Sequence, residues 1–514
     1  MLAAILTQAQ APAAPFQGPH IDWFSLSPML VLVGGGLLLM LLTALVPGRW
    51  PKGFSAVFTA CCAAAAGILS IILWHHVADR GTKPLVGSAL SLDGFTVFVF
   101  FVICIAVFLT ALVTDDYLRR EDLDGSELYA LMLMAAVGAM VMAASTDLVV
   151  LFIGLETLSI ALYVMAAGHL RRMESQESAI KYFVLGGFSS AFFLYGIAMV
   201  YGATGSTNMV AIRDFLRANV LLDKGMLVAG FALLLVGLAF KVAAAPFHNW
   251  TPDVYEGAPT PVTGFMASAA KAAGFAALLR VFVVMFAGFT ADWRPVLFVL
   301  AVLTLVVGSV LAVVQRNVKR MLAYSSISHA GFIMVGVQTA TSRGTAGSLF
   351  YLLAYAVMVL GTFGVVTIVG RTGDGDHSLD SFRGLSRRRP VLAVVFGVLL
   401  LAQAGVPFTS GFWAKAGVIA AAVDAHSYAL AIVAMLAAVI AAFLYLRIAV
   451  SMFFVDQPAD DAAGAARVRV PLGAGVALLL AVAFTVGVGL LPSFFITLSR
   501  HAVPVLQAAP VADH

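Results

Sequence analysis

Apolar runs recur from one end of this chain to the other, and each is long enough to cross about 30 Å of hydrocarbon as a helix. The pattern predicts fourteen spans, at about 28–47, 54–75, 94–113, 128–144, 147–168, 178–202, 226–251, 259–288, 295–314, 320–340, 345–370, 390–423, 427–455 and 470–492. Short polar stretches separate them, so the predicted fold class is an all-α polytopic membrane protein. Two spans are longer than a straight crossing needs and are interrupted. Span seven carries Lys241 and then Pro246 in FKVAAAPFHNW; span twelve carries Gly405, Pro407 and then Lys415 in LAQAGVPFTSGFWAKAG. Proline removes a helix hydrogen bond and clashes with the preceding turn, so each span is expected to break there. Backbone freed at that depth must face protein or a water-filled cavity.

The two broken spans are five apart, so spans four to eight and nine to thirteen read as two five-helix units. Because five is odd, the second unit enters from the opposite side, making an inverted repeat of the kind many transporters use. The expected organisation is an N-terminal region of three spans over 1–127, a first unit over 128–289, a second over 290–456 and a last span with a tail over 457–514. Charge sorts by side on the same count. Alternate loops hold 16 basic residues, among them Arg49, Arg119, Arg172, Lys319, Arg371, Arg387 to Arg389, Arg467 and Arg469. The opposite loops hold 8. That bias puts the richer loops in the cytoplasm and both termini on the periplasmic side of an inner, plasma membrane.

Composition narrows the function. The chain is 61% hydrophobic and 11% charged, and its basic residues form no stripe with aromatics, so nucleic acid is not an expected partner; the bilayer is. Cys61, Cys62 and Cys104 lie in apolar runs without metal or iron–sulfur spacing and read as small core residues. No Rossmann fingerprint follows a strand, and Gly34 to Gly36 sit inside the first span as packing residues. The stretch Met1 to Phe24 has no basic start and does not read as a cleaved signal peptide.

Against this background the charges inside spans stand out. Only eight lysines occur in 514 residues, and Lys181, Lys241, Lys271 and Lys415 interrupt apolar runs; Glu156 is the carboxylate deep inside one. Each charge at the bilayer centre costs roughly 2.5–3.5 kcal/mol on insertion scales, so a chain that keeps them is expected to move ions or protons through them. Other uses remain open. Glu156 could merely hold helices together, Lys241 could snorkel to the interface, and Lys181 could form an interfacial salt bridge with Glu174 or Glu177. His329, in YSSISHAGF, could be a packing residue or part of the route. Arg280 and Arg447 lie nearer span ends and read as anchors. Burial disfavours an ammonium and a nearby carboxylate favours it. Separating Lys241 from Glu156 would therefore promote proton release, and bringing them together would promote reloading. Lys271, His329 and Lys415 are the polar groups available to link the two units at the midplane.

The runs FKVAAAPFHNWTPDVYEGAPTPVTGFMASAAKAAGF, GLETLSIALYVMA and QRNVKRMLAYSSISHAGF together resemble the antiporter-like subunits of proton-pumping NADH–quinone oxidoreductase, complex I. The resemblance covers nearly the whole chain. Within the family, WTPDVYEGAPTPV and a lysine at 415 match the branch without a glutamate in the broken twelfth span. By motif, Glu156 takes the place of the fifth-helix glutamate, and Lys241, Lys271 and Lys415 those of the seventh-, eighth- and twelfth-helix lysines. The resemblance implies a translocase subunit that moves protons in the membrane arm, with other membrane-arm subunits as partners. It implies no cofactor bound by this chain, with NADH, FMN, iron–sulfur clusters and quinone serving elsewhere in the complex. A subunit of a multisubunit sodium/proton antiporter shares the architecture and is the alternative.

Overall fold

The computed structural model describes residues 21–46, 50–123, 125–221, 223–370, 373–375, 377–456 and 470–504. The start of the chain to residue 20, the loop residues Arg49, Arg371, Arg467 and Arg469, and the tail at 505–514 lie outside the described residues. The expectations for a signal sequence and for the sidedness of the two termini fall there in whole or in part.

The chain opens with α1 (Ser27–Leu45), α2 (Phe54–Arg80) and α3 (Gly94–Arg120). The first set of five crossings follows as α4 (Ser126–Ala144), α5 (Leu148–Ala166), α6 (Met173–Thr204), a short amphipathic α7 (Met209–Ala218), then α8 (Gly225–Val242), α9 (Trp250–Gly257) and α10 (Thr260–Met285). The next set is α11 (Thr290–Val314), α12 (Val318–Gln338), α13 (Ser342–Val369), α14 (Pro390–Ala404), α15 (Ser410–Asp424) and α16 (Tyr428–Phe454). α17 (Leu472–Leu490) and a short α18 (Ser493–His501) close the described chain.

Twelve helices among the described residues are long and apolar enough to span a membrane. The two remaining expected spans are α12, whose polar run YSSISH dilutes its hydropathy, and the pair α14/α15, each only 15 residues long. Both expected breaks are present. α8 ends as Ala243 turns left-handed (φ 62°), three residues before Pro246. α14 ends at Gly405 (φ 93°), two residues before Pro407. Gly411 lets the two halves overlap, since a Cβ there would lie 1.8 Å from the Ala402 carbonyl oxygen. One feature departs from an all-α expectation: Lys83–Leu85 and Leu90–Leu92 pair as a small antiparallel ribbon in the second loop.

Helix ends are capped by side chains where polar loops meet apolar spans. Asp93 accepts from Thr96 N at 2.8 Å, Asp147 from Val149 N at 2.8 Å and Asn317 from Lys319 N at 2.9 Å. Each satisfies an amide that the helix itself cannot. Loops alternate strictly between two rims. On the first rim, Arg120 donates to Thr367 O, Arg172 meets Asp374, and Arg320 pairs with Asp253 and Glu256. On the second, Asn208 donates to Ser88 O, Thr207 to Asp147, and Ser427 to Gln338. Asp22, paired with Lys83, and His501, beside Gly94, both lie on this second rim, so the described chain begins and ends on one side. The most enclosed elements are α13 and α10, with 94% and 89% of their apolar windows buried. They form the axis around which the charged side chains gather.

Candidate functional site

A buried charge is costly unless a partner compensates it, so the partner of each intramembrane charge is the informative observation. Lys241 sits in the last turn of α8, where the chain is about to break. Its Nζ reaches the Ser159 hydroxyl of α5 at 2.8 Å. Glu156, one turn earlier on the same face of α5, accepts from the Ser190 hydroxyl of α6. The Lys241 ammonium therefore meets α5 one turn from Glu156, each group is held by a serine, and the two form no direct ion pair among the described residues. Gly274 brings α10 against this corner, since a Cβ there would lie 3.3 Å from Lys241 Cγ.

Lys271 follows a π-helical turn, Met266–Ala270, inside α10. Such a turn re-aims the side chains after it. Its Nζ donates to both the carbonyl oxygen and the hydroxyl of Ser326 at 2.6 Å, and lies 5.8 Å from the Tyr355 ring. Ser326 shares a face of α12 with His329. His329 is fully buried between two phenols, with Nδ1 2.7 Å from Tyr351 Oη and Nε2 2.9 Å from Tyr445 Oη. Tyr445 in turn meets Ser325 at 2.6 Å. A neutral imidazole has one donor and one acceptor nitrogen, so one tyrosine donates while the other accepts, and the two can exchange roles. The Tyr355 ring lies 4.6 Å from His329, on the side of Ser326 and Lys271.

Lys415, in the second turn of α15, donates to the Ala404 carbonyl oxygen at 2.8 Å. That oxygen belongs to the last turn of α14, the partly negative end of a half-helix. The ammonium also lies over the Phe332 ring at 4.9 Å, one turn along α12 from His329. The structure thus gathers Lys271, His329 and Lys415 around one face of α12 with Tyr351 and Tyr355 of α13. All three lysines bind neutral oxygens, and among the described residues none has a carboxylate within ion-pair distance.

Lys181 is placed elsewhere. It is 43% exposed at the first rim, where it pairs with Glu177 at 2.8 Å and Asp253 at 2.9 Å. Arg280 does tie helix ends together on the second rim, but from inside the bundle: its fully buried guanidinium bonds Asp93 (2.8 Å), Thr96 (2.6 Å) and Ala143 O (2.7 Å). A second π-helical stretch, Leu279–Met285, carries it inward. Arg447 does anchor a helix end, donating to Val313 O and Gln315 O at the close of α11.

Sequence reasoning missed one cluster. Lys319, counted there among the loop cations, is completely buried and reaches Ala258 O at 2.7 Å and Asp374 at 3.4 Å. Asp374 also accepts from Thr260 and contacts Arg172 at 3.3 Å and His377 at 2.6 Å. Burial works to raise the Asp374 carboxyl, but Lys319 and His377 hold it well below the usual carboxylate range. Burial holds His377 below its ordinary value despite the neighbouring carboxylate. A Gly- and Asp-rich loop gives no periodicity, so nothing in its spacing marked Asp374 as interior.

The family described as NADH:quinone oxidoreductase/Mrp antiporter, transmembrane, matches residues 145–441, a stretch that holds all six candidate residues. The NADH-quinone oxidoreductase subunit N of Trichlorobacter lovleyi is 40% identical over 479 residues, which cover 93% of this chain and 96% of that protein. A chain of respiratory complex I from Thermus thermophilus with bound aureothin superposes with a TM-score of 0.75 at 31% identity, covering 92% of this chain and 99% of its own. A chain of the Mrp complex from Dietzia sp. superposes with a TM-score of 0.81 over 94% of this chain and 96% of that one; at 21% identity this is a likeness of fold.

Proposed function

The chain belongs to the NADH:quinone oxidoreductase/Mrp antiporter transmembrane family, and from that premise we propose that Glu156, Lys241, Lys271, His329 and Lys415 carry its protons. It is an antiporter-like membrane-arm subunit of NADH–quinone oxidoreductase, translocating protons while electrons pass through other subunits, where NADH, FMN, iron–sulfur clusters and quinone act. It is a multi-pass membrane protein and assembles with other subunits of that complex. We read 128–289 and 290–456 as inverted five-helix units, flanked by 1–127 and 457–514. We also place the first rim in the cytoplasm, both termini in the periplasm and the whole in the plasma membrane.

One observation carries the assignment of the route: three fully enclosed lysines held only by hydroxyls and carbonyls. A charge kept for architecture gains from a counter-ion, whereas a group that must lose and regain a proton is better served by neutral acceptors. Ser159 and Ser190 hold Lys241 and Glu156 one turn apart, in reach of pairing after a small movement. Proton release from Lys241 follows separation from the carboxylate, and reloading follows approach. Lys271, the Tyr351–His329–Tyr445 group and Lys415 continue the path, with water completing the gaps between side chains. Lys181 stands outside this route. The antiporter alternative gains no specific observation beyond a shared fold.

Glu156→Gln and Lys241→Ala should each lower proton pumping and coupled quinone reduction in membranes holding normal amounts of assembled complex. Normal pumping at normal assembly would reject the route.

A further inference from the structure

At the first rim, α14 and α17 begin side by side, and their first turns leave a cavity of about 870 Å³. Arg388 and Arg389 form its mouth; Val391, Val395, Leu478 and Leu479 form its wall. Among the described residues no acidic side chain lines it. The wall is open sideways, with Val391 77% and Leu479 68% exposed. It runs five to seven residues into the two helices, roughly 8–10 Å at the α-helical rise. The three arginines of the loop are used differently. Arg387 pairs with Asp456 at 2.5 Å, and Arg388 donates to Ser381 O and Arg383 O at 3.0 Å. Arg389 has neither an ion pair nor a side-chain hydrogen bond among the described residues.

We propose that this cavity is a binding site for one anionic phospholipid, its phosphodiester on Arg389 beside the Arg388 charge and one acyl chain in the slot between α14 and α17. The chemistry is complementary at both ends. A guanidinium fork matches phosphate oxygens, and an apolar slot opening into the bilayer matches a chain entering from the side. A zwitterionic lipid fits the slot equally well but brings its own cation to the arginines, so net charge is what the mouth selects. A neighbouring polypeptide would need an acidic side chain at the mouth and would close the slot to lipid.

The test uses the assembled complex in vesicles of phosphatidylcholine doped with a trace of photoreactive-chain phosphatidylglycerol, or with phosphatidylcholine carrying the same chain. Labelled peptides are mapped by mass spectrometry. The expected result is labelling around residues 391–395 and 478–479 that favours the anionic probe about fivefold, the worth of one well-placed arginine at a membrane surface. Arg389→Gln should bring the anionic probe down to the zwitterionic level. Leu479→Trp, which fills the slot and keeps both arginines, should abolish labelling at 391–395 by either probe. Equal labelling by the two lipids, anionic labelling undiminished in Arg389→Gln, or a slot unlabelled by either probe while Phe188 on the exposed face of α6 is labelled would overturn the proposal.

Discussion

Two sets of buried cations share this bundle and are treated in opposite ways. At the first rim, Lys319 and Arg172 converge on Asp374, whose carboxylate also takes Thr260 and His377. At the centre, Lys241, Lys271 and Lys415 are also buried, but among the described residues their hydrogen bonds go only to Ser159, Ser326 and the Ala404 carbonyl. The rim cluster joins the loop before α6, the start of α10, the start of α12 and the loop after α13, so it ties the two five-helix regions together. Charge there is fixed by counter-charge, as it is for Arg280 and Asp93 on the second rim. At the centre the lysines have no counter-ion among the described residues, which suits the proposal that their charge comes and goes. Burial alone therefore does not distinguish architecture from transport; the partner does.

The comparison is broken most directly at the centre. Lys271→Ala and Lys415→Ala should each reduce pumping per assembled complex by roughly tenfold or more, the low side of what a positioned proton-transfer group contributes. Quinone reductase rates and vesicle acidification measured on the same preparation check this. Pumping within twofold of wild type would return these lysines to the class of packing residues.

Lys271→Arg sharpens the point with a smaller change. The guanidinium keeps the charge and can still donate to Ser326, but it is not readily deprotonated. Pumping should fall while assembly holds. Recovery by arginine would mean that Lys271 acts as a fixed charge.

At the rim the readout reverses. Asp374→Leu leaves Lys319 buried without its carboxylate, a change that costs about 3–5 kcal/mol for a buried pair. Less complex should assemble, and its thermal midpoint should fall, while the complex that does assemble pumps normally. Replacing both partners, Asp374→Leu with Lys319→Met, should recover much of the lost midpoint. A double variant as unstable as the single would deny that the pair is held by mutual compensation.

The smallest effect is on pH dependence. His377 is held neutral below its ordinary value, so unfolding lets it bind a proton it refuses when folded. Its contribution is present above the unfolded value of about 6.5 and is lost as pH falls below it. Asp374, held far lower, has its window below about pH 4 and stays silent across the same range. The thermal midpoint of wild type relative to His377→Gln should therefore drop between pH 7 and pH 5. A constant difference would show that His377 does not change protonation on unfolding.

Much of this is readable in the amino-acid sequence alone. The breaks at Pro246 and Pro407, the lysine beside each, and Glu156 on the neighbouring span were visible because a charge or a proline in an apolar run violates the only pattern a bilayer permits. The proposed path through Lys271, His329 and Lys415 is legible as a set of groups at one depth, but the tyrosines around it are not. Tyr351 and Tyr445 are unremarkable in apolar helices until packing aims them at one imidazole. The π-helical turns before Lys271 and around Arg280 depend on how α10 fits its neighbours, which local propensity does not encode. Lys319 counts only as a loop cation in the sequence and Asp374 draws no notice there, because loops carry no periodicity to show which side faces inward. The hairpin at Lys83–Leu85 escaped for the same reason.

The central claim is that unpaired lysines transport and paired charges hold. It is tested most directly by proton pumping in proteoliposomes, normalised to assembled complex, for Lys241→Ala set beside the Asp374→Leu, Lys319→Met double variant. The account predicts pumping near wild type for the double variant and a loss of roughly tenfold or more for Lys241→Ala. Equal pumping by the two, or a loss confined to the double variant, would contradict it.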